Sequence, residues 1–144
     1  MRFVLAAVGF GLVLGGGPAA VLAAPDKMQA VEVAPDGTLS VQTRPVPKPG
    51  AGEVLVRVRA AGVNPVDWKI APRRVGLVPG ADVAGTIDAL GEGVTGFAVG
   101  DAVLGWARQS GSYAEFAVVP VASLAKKSRA LSRSRTILSD CSSE

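Results

Sequence analysis

The segment Glu53–Ala61 is the feature that most constrains the fold of this chain, because its apolar and charged residues alternate. One set of alternate positions holds Val54, Val56 and Val58. The other set of alternate positions holds Arg57 and Arg59. Successive side chains of a strand point to opposite faces, so this period of two predicts a half-buried central strand with the valines inward and the arginines outward.

Further short alternating segments lie on either side of that strand. Val31 and Val33 precede the turn sequence Pro35-Asp36-Gly37, and Leu39 to Thr43 follow it, which predicts a β-hairpin. Additional strands are predicted at Ala81–Leu90, Ala102–Trp106 and Ser112–Val119. Six short strands with glycine-rich turns, and no long amphipathic helix, predict an all-β barrel or sandwich.

Composition removes several classes of function. The chain has no His and one Cys, so Cys/His zinc sites, disulfide frameworks and Ser/His or Cys/His catalytic pairs are excluded within it. The net charge of +3 comes from the two ends, because residues 28 to 125 hold eight basic and nine acidic residues. That central region offers no basic face for phosphates, and we therefore expect no nucleic-acid partner.

Residues 1–23 have the layout of a secretory signal peptide. Arg2 is followed by an apolar run from Phe3 to Val13, by a Gly-Gly-Gly-Pro breaker and by small residues that predict cleavage after Ala23. The apolar run is too short for a membrane span, so we expect an exported protein, periplasmic or secreted, with no stable span after cleavage. The alternative is that translation begins at Met28 and the protein is cytoplasmic.

The end of the chain differs in composition from the rest. Residues 133–144 are rich in serine and carry mixed charges, so they add little to a core, and we expect a disordered or aberrant tail. A frameshift or truncation near Ser132 accounts for this change of composition. This leaves one predicted domain, residues 24–132.

The run from Pro45 to Lys69, PVPKPGAGEVLVRVRAAGVNPVDWK, resembles the N-terminal domain of medium-chain dehydrogenase/reductases, in the zinc-free quinone oxidoreductase or zeta-crystallin branch. Three later segments agree with that resemblance in order and spacing: Val78–Gly85, Gly91–Val103 and Gly111–Phe116. The resemblance implies a GroES-like antiparallel β-barrel with short helical turns. It also implies a Rossmann domain that holds NADPH, a quinone or enone substrate and a homodimer in the complete enzyme.

No Rossmann segment is predicted in this chain. Gly91-Glu-Gly-Val-Thr-Gly96 has the spacing of a dinucleotide-binding loop, but no helix follows it, so hairpin geometry is the better interpretation. The related zinc enzymes place Cys near Asn64 and a His-Glu pair at Ala81-Asp82, and these ligands are missing. We therefore expect no catalytic zinc and an N-terminal fragment that is inactive alone.

The resemblance implies specific site residues. Asn64 lies where the family lines the nicotinamide and substrate pocket, although Asn before Pro is also an ordinary turn residue. Lys69 is a candidate donor to the carbonyl oxygen or enolate, and the alternative is a solvated lysine. Tyr113 is a candidate cofactor contact, or an aromatic that closes a barrel edge. Asp67 is expected to cap a short helical turn, and Trp68 is expected to pack in the protein rather than against substrate.

Two hypotheses from different classes remain at this point. The first is a domain of an NADPH-dependent oxidoreductase that transfers hydride to a quinone or enone without zinc. The second is a free-standing exported β-barrel that binds a partner or small molecule without redox turnover.

Overall fold

A computed structural model describes residues 25–69, 73–107 and 111–128 of the 144-residue chain. The predicted signal peptide, its cleavage site and the predicted tail at 133–144 lie outside these residues, as does the boundary at 132. Among the described residues, no helix has the length and hydrophobicity needed to cross a bilayer.

The first two strands form the predicted hairpin. Strand β1 (Lys27–Val33) pairs antiparallel with β2 (Leu39–Pro45), and Val31 lies opposite Val41. Between them, Asp36 Oδ1 accepts a hydrogen bond from the Thr38 amide at 2.9 Å, which closes the turn with a short polar side chain.

The remaining strands form one antiparallel sheet of five strands in the order β6-β3-β4-β5-β7. They are β3 (Glu53–Ala61), β4 (Asp82–Leu90), β5 (Ala102–Trp106), β6 (Phe116–Pro120) and β7 (Leu124–Lys126). One α-helix, α1 (Pro65–Lys69), follows β3, and a 3-10 turn (Val121–Ser123) joins β6 to β7. The all-β prediction is confirmed, and the described residues contain no Rossmann unit.

The strands differ from the sequence-based expectation chiefly at the start of β6 and in one additional strand. The predicted strand at Ser112–Val119 begins only at Phe116, because the preceding residues turn toward the hairpin, where Ala114 bridges Ala30. Strand β7 was not predicted, since three residues carry too little alternation to be recognised. The segment from Gly91 to Gly100 is a loop without a helix, which confirms its interpretation as turn geometry.

The main apolar core lies on one face of the five-stranded sheet. Its buried members are Val54, Val56, Val83, Ile87, Val103, Ala107, Ala117 and Val119. Val54 and Val56 are fully buried as predicted, whereas Val58 is only partly buried at the margin of this cluster. Strand β3 is therefore central, with β6 on one side and β4 on the other.

The opposite face of β3 is covered as well, which the alternation did not predict. Leu55 packs there in a second apolar cluster with Met28, Ala30, Val78 and Phe116. Arg57 shares that face, where its guanidinium lies 4.7 Å from the Phe116 ring centroid and 2.7 Å from Asp88 Oδ1. It is thus half-buried and paired, whereas Arg59 is exposed as expected.

Candidate functional site

The helix α1 begins directly after Asn64, with proline as its first residue. Proline fits this position because the first helical N–H has no partner within the helix and its φ is already helical. The Asn64 amide donates to Asp67 Oδ2 at 2.7 Å, and the Asp67 amide donates to the Asn64 carbonyl at 2.9 Å. The first bond is the half of a capping box in which the third helical side chain reaches back to the N-cap amide, and it confirms the predicted capping role of Asp67. The second bond is a main-chain turn, because the Asn64 side chain bonds elsewhere.

Asp67 also joins two distant segments to α1. Its Oδ1 accepts the Gly80 amide at 3.2 Å, and its Oδ2 accepts the Tyr113 hydroxyl at 3.0 Å. The residue is 8% exposed, so three donors surround a buried carboxylate. Hydrogen bonds to an ionised acceptor are stronger than neutral ones, and this carboxylate therefore holds α1 against the segments that precede β4 and β6.

The Tyr113 phenol is held as a neutral donor. Burial is the main cause that raises its pKa to about 12, and the hydrogen bond to Asp67 and the charges of Asp67 and Asp82 act in the same direction. The hydroxyl lies 3.4 Å from the Gly62 carbonyl as well. Tyr113 therefore fastens the turn at 111–113 to the segment that leads into α1.

Asn64 is oriented by a second carboxylate. Its Nδ2 donates to Asp82 Oδ2 at 2.7 Å, and a carboxylate accepts only from the nitrogen side of an amide. Glycine at position 62 makes room for the Asp82 carboxylate, since a Cβ on Gly62 would lie 2.7 Å from the same oxygen. The amide keeps a second N–H and its carbonyl oxygen for other partners.

A glycine lets the Tyr113 turn approach this cluster. Gly80 has φ +92°, and a Cβ there would meet the Ser112 hydroxyl and the Tyr113 ring. Ser112 Oγ is fully buried and makes no hydrogen bond that the structure records. The contact between Tyr113 and Asp67 thus depends on glycine at position 80, where a larger residue would not fit.

The outer surface of α1 carries Trp68 and Lys69. Lys69 is exposed, with its Nζ 5.1 Å from the centroid of the Trp68 ring. Trp68 is 60% exposed, so the prediction that it packs in the protein is wrong. The reason is local: Asp67 takes the inward position on this short helix, and the neighbouring residue is turned outward.

Comparison with known protein families identifies the family of this domain. Residues 50–129 match the alcohol dehydrogenase GroES-like domain family, which is more than half of the chain. The chain belongs to that family. It is 46% identical over 79 residues to a quinone oxidoreductase of Rattus norvegicus, and 41% identical over 110 residues to a trans-enoyl reductase of Penicillium oxalicum.

Solved structures agree on the fold of this GroES-like domain. A mycobacterial protein in complex with NADPH superposes with a TM-score of 0.65 at 33% identity, over 73% of this chain and 35% of its own. The matched segment is 51% of this chain and 24% of the rat enzyme, and for the fungal reductase the shares are 67% and 30%. The chain therefore spans about a quarter to a third of the length of the curated relatives that it matches.

The predicted site residues of this GroES-like domain fall into two groups. Asn64 and Tyr113 converge on the Asp67 carboxylate, whereas the recorded contact of Lys69 is with Trp68 on the outer side of α1. Sequence reasoning missed Asp82 as the partner of Asn64. Its signal is its place in the Val78–Gly85 segment that also carries Gly80. Within the described residues, no three His, Cys, Asp or Glu side chains gather into a metal site.

Proposed function

We propose that this domain forms the substrate-side wall of an NADPH-dependent quinone or enone reductase that works without zinc. The observation that carries the proposal is the Asn64 amide, which donates to Asp82 at 2.7 Å at the start of α1, within the region that matches the GroES-like domain family. Similarity to quinone oxidoreductases supports a quinone as the acceptor. The resemblance to this family implies that the nicotinamide and substrate pocket lies at this position. Similarity to a trans-enoyl reductase supports an enone as the alternative acceptor.

NADPH supplies the hydride when it is bound. On this chain, Asn64 is the residue suited to hold the nicotinamide end, because its remaining N–H and carbonyl oxygen match the donor and acceptor of a carboxamide. Asp82 orients that amide, and Asp67 fixes the backbone that carries it. Tyr113 stabilises the same wall through Asp67, and a direct contact with the cofactor remains part of the proposal.

Lys69 is the proposed donor to the substrate oxygen. Hydride addition to a quinone or enone leaves negative charge on the carbonyl oxygen, and a nearby ammonium stabilises that charge by a charge-assisted hydrogen bond. The side chain is exposed at the end of α1, where a substrate carbonyl can approach it. It shares the short helix with the Asn64 cap, which keeps both groups on one element.

The zinc-free mechanism is supported by the pair of residues at the family's metal position. The resemblance implies that zinc enzymes of this fold have a ligand near Asn64 and a ligand pair at Ala81-Asp82, and here Asn64 hydrogen-bonds to Asp82. An amide nitrogen that donates to a carboxylate is not a zinc ligand. In this proposal the substrate is therefore polarised by a protein cation.

The test is reduction of 1,4-benzoquinone by NADPH, measured with two proteins. The chain alone should give no turnover, because the family binds most of the dinucleotide on a second domain. Fusion of this chain at residue 128 to the remainder of the rat quinone oxidoreductase should give quinone-dependent NADPH oxidation. Turnover by the purified chain alone would contradict the proposal that this domain forms only the substrate-side wall of the enzyme, and so would a folded fusion without activity.

Two variants of the active fusion separate the proposed roles. Lys69→Ala should lower kcat/KM about tenfold or more, because it removes a donor to the developing charge. Lys48→Ala is the matched control, since Lys48 is also an exposed lysine but lies in the loop before β3. Equal kinetics for the two variants would remove Lys69 from the mechanism.

A further inference from the structure

The polarity of α1 is the reverse of that of an ordinary surface helix. Its buried residue is Asp67, whereas Val66 and Trp68 are 45% and 60% exposed. Val63, just before the helix, is 78% exposed. Surface helices normally turn their apolar residues to the core and their charged residues to solvent. The outer face of α1 is therefore an apolar surface that the fold holds away from the core.

This presentation is fixed by the contacts on the inner side. The Asp67 carboxylate accepts the Asn64 amide, the Gly80 amide and the Tyr113 hydroxyl at 2.7, 3.2 and 3.0 Å. These bonds tie the short helix to the segments that precede β4 and β6. These contacts of Asp67 consequently hold the neighbouring indole of Trp68 on the outer side of the helix.

The exposed indole carries a cation beside it. Lys69 Nζ lies 5.1 Å from the centroid of the Trp68 ring, a cation–π distance. Among the described residues no carboxylate forms a salt bridge with this ammonium. The outer face of α1 therefore combines an electron-rich aromatic ring with an ammonium that lies over that ring and can donate hydrogen bonds.

We propose that Trp68 is a specificity-determining residue, a stacking surface that selects planar bicyclic quinones over small or acyclic enones. The inference rests on the proposed function and names its substrate class. A naphthoquinone is flat and electron-poor, so it stacks on an electron-rich indole, and its carbonyl oxygen accepts a hydrogen bond from Lys69. An acyclic enone has little flat area to stack on the indole. A simple anion would bind to the Lys69 ammonium without any contact to the indole.

The binding test uses the full chain without cofactor. The chain has two tryptophans, so Trp106→Phe leaves Trp68 as the single fluorescent reporter. The ligand is 2,3-dimethyl-1,4-naphthoquinone, because its blocked ring positions prevent addition to the one cysteine. We expect saturable quenching of Trp68 with an unchanged fluorescence lifetime, and no such quenching by 2-cyclohexen-1-one. Purely collisional quenching, equal to that of N-acetyltryptophanamide, would overturn the proposal.

Ligand-observed NMR measures the same binding without fluorescence. Trp68→Leu should weaken naphthoquinone binding about fivefold or more, and Trp68→Tyr, which keeps an aromatic face, should restore most of it. Trp106→Phe is the matched control and should bind like the parent chain. Lys69→Met should weaken binding by about threefold or more, because the carbonyl loses a charged donor. Equal affinity of Trp68→Leu and the parent chain would refute the proposal.

Nicotinamide mononucleotide tests whether the Trp68 indole binds the cofactor instead of the substrate. If it saturates the Trp68 signal and displaces the naphthoquinone, the indole is a cofactor platform and the specificity proposal is wrong. The two proposals fail separately. Naphthoquinone binding that depends on Trp68, together with an inactive fusion, would remove the reductase function and leave the binding surface. An active fusion with Trp68-independent binding would do the reverse.

Discussion

The sheet core and the α1 region use opposite means to hold their residues in place. In the core, valines and isoleucine from β3, β4, β5 and β6 are buried against one another without polar partners. Around α1, a buried carboxylate is surrounded by three donors, and the apolar Trp68 faces outward. The core is held by the removal of apolar surface from water, whereas the α1 region is held by directed hydrogen bonds.

The difference bears on where the proposed function lies in this domain. Apolar packing tolerates exchange of similar side chains, but a buried carboxylate requires each of its donors to be present. Such a cluster fixes Asn64 and the α1 surface in a defined orientation, which apolar contacts alone do not achieve. In the proposed function, the sheet supports the site, and the hydrogen-bonded helix carries the residues that would act on cofactor and substrate.

The largest effect is expected from Gly85→Ala in the sheet. A Cβ at Gly85 would lie against the carbonyl oxygen of Arg57 on the paired strand, and backbone atoms there have nowhere to move. We expect a loss of about 3 kcal/mol in the free energy of unfolding, measured by urea denaturation. Gly93→Ala is the control, since open space surrounds it and only its φ of +73° is unfavourable, at about 1 kcal/mol. Equal losses would show that the close approach of β3 and β4 is unimportant.

Asp67→Asn tests the hydrogen-bonded region by the same measurement. Asparagine keeps the shape but turns an NH2 group toward at least one of the three donors, so we expect a loss of about 2 kcal/mol. Asp36→Asn is the matched control in the exposed hairpin turn, where the side chain accepts from Thr38. If both variants unfold at the same urea concentration, Asp67 does not anchor α1.

The Tyr113 phenol reports on the same cluster spectroscopically. Its pKa is raised to about 12 from 10.0, and it is the one tyrosine of the chain, so tyrosinate absorbance follows it alone. A raised pKa in the folded state means that its stabilisation is complete below pH 10.0 and is lost as the pH rises toward 12. In Asp67→Asn the pKa should fall toward its ordinary value, although burial still raises it. A titration near the ordinary value in the parent chain would contradict the buried hydrogen bond.

The smallest effect is expected at the exposed pair between the loop before β5 and strand β7. The hydrogen bond from Lys126 lowers the pKa of Asp101, with the Ala98 amide as the next cause. Its contribution is present above the ordinary carboxyl pKa and is lost as the pH falls through the lowered one. Lys126→Met should raise the Asp101 pKa in a carbon NMR titration and change the unfolding free energy less than Gly85→Ala or Asp67→Asn does. A large loss of stability would mean that exposed pairs matter as much as the buried cluster.

Much of this fold was predictable because its signals are local. The alternation in Glu53–Ala61 predicted β3, and Pro35-Asp36-Gly37 predicted the turn of the hairpin, since strand period and turn chemistry depend on neighbouring residues. The capping role of Asp67 was predictable for the same reason, because its partner Asn64 is three residues away.

Tertiary structure alone decided the rest. Gly80 and Tyr113 lie 13 and 46 residues from Asp67, and no periodicity links them, so only the packed sheet brings their donors to one carboxylate. The same holds for the burial of Leu55 on the second face of β3, which depends on contacts with β1 and β6. Trp68 is exposed because Asp67 takes the inner position of α1. Sequence fixes which groups a segment offers, and long-range packing selects which of them are buried together, because burial is a property of the whole assembled surface.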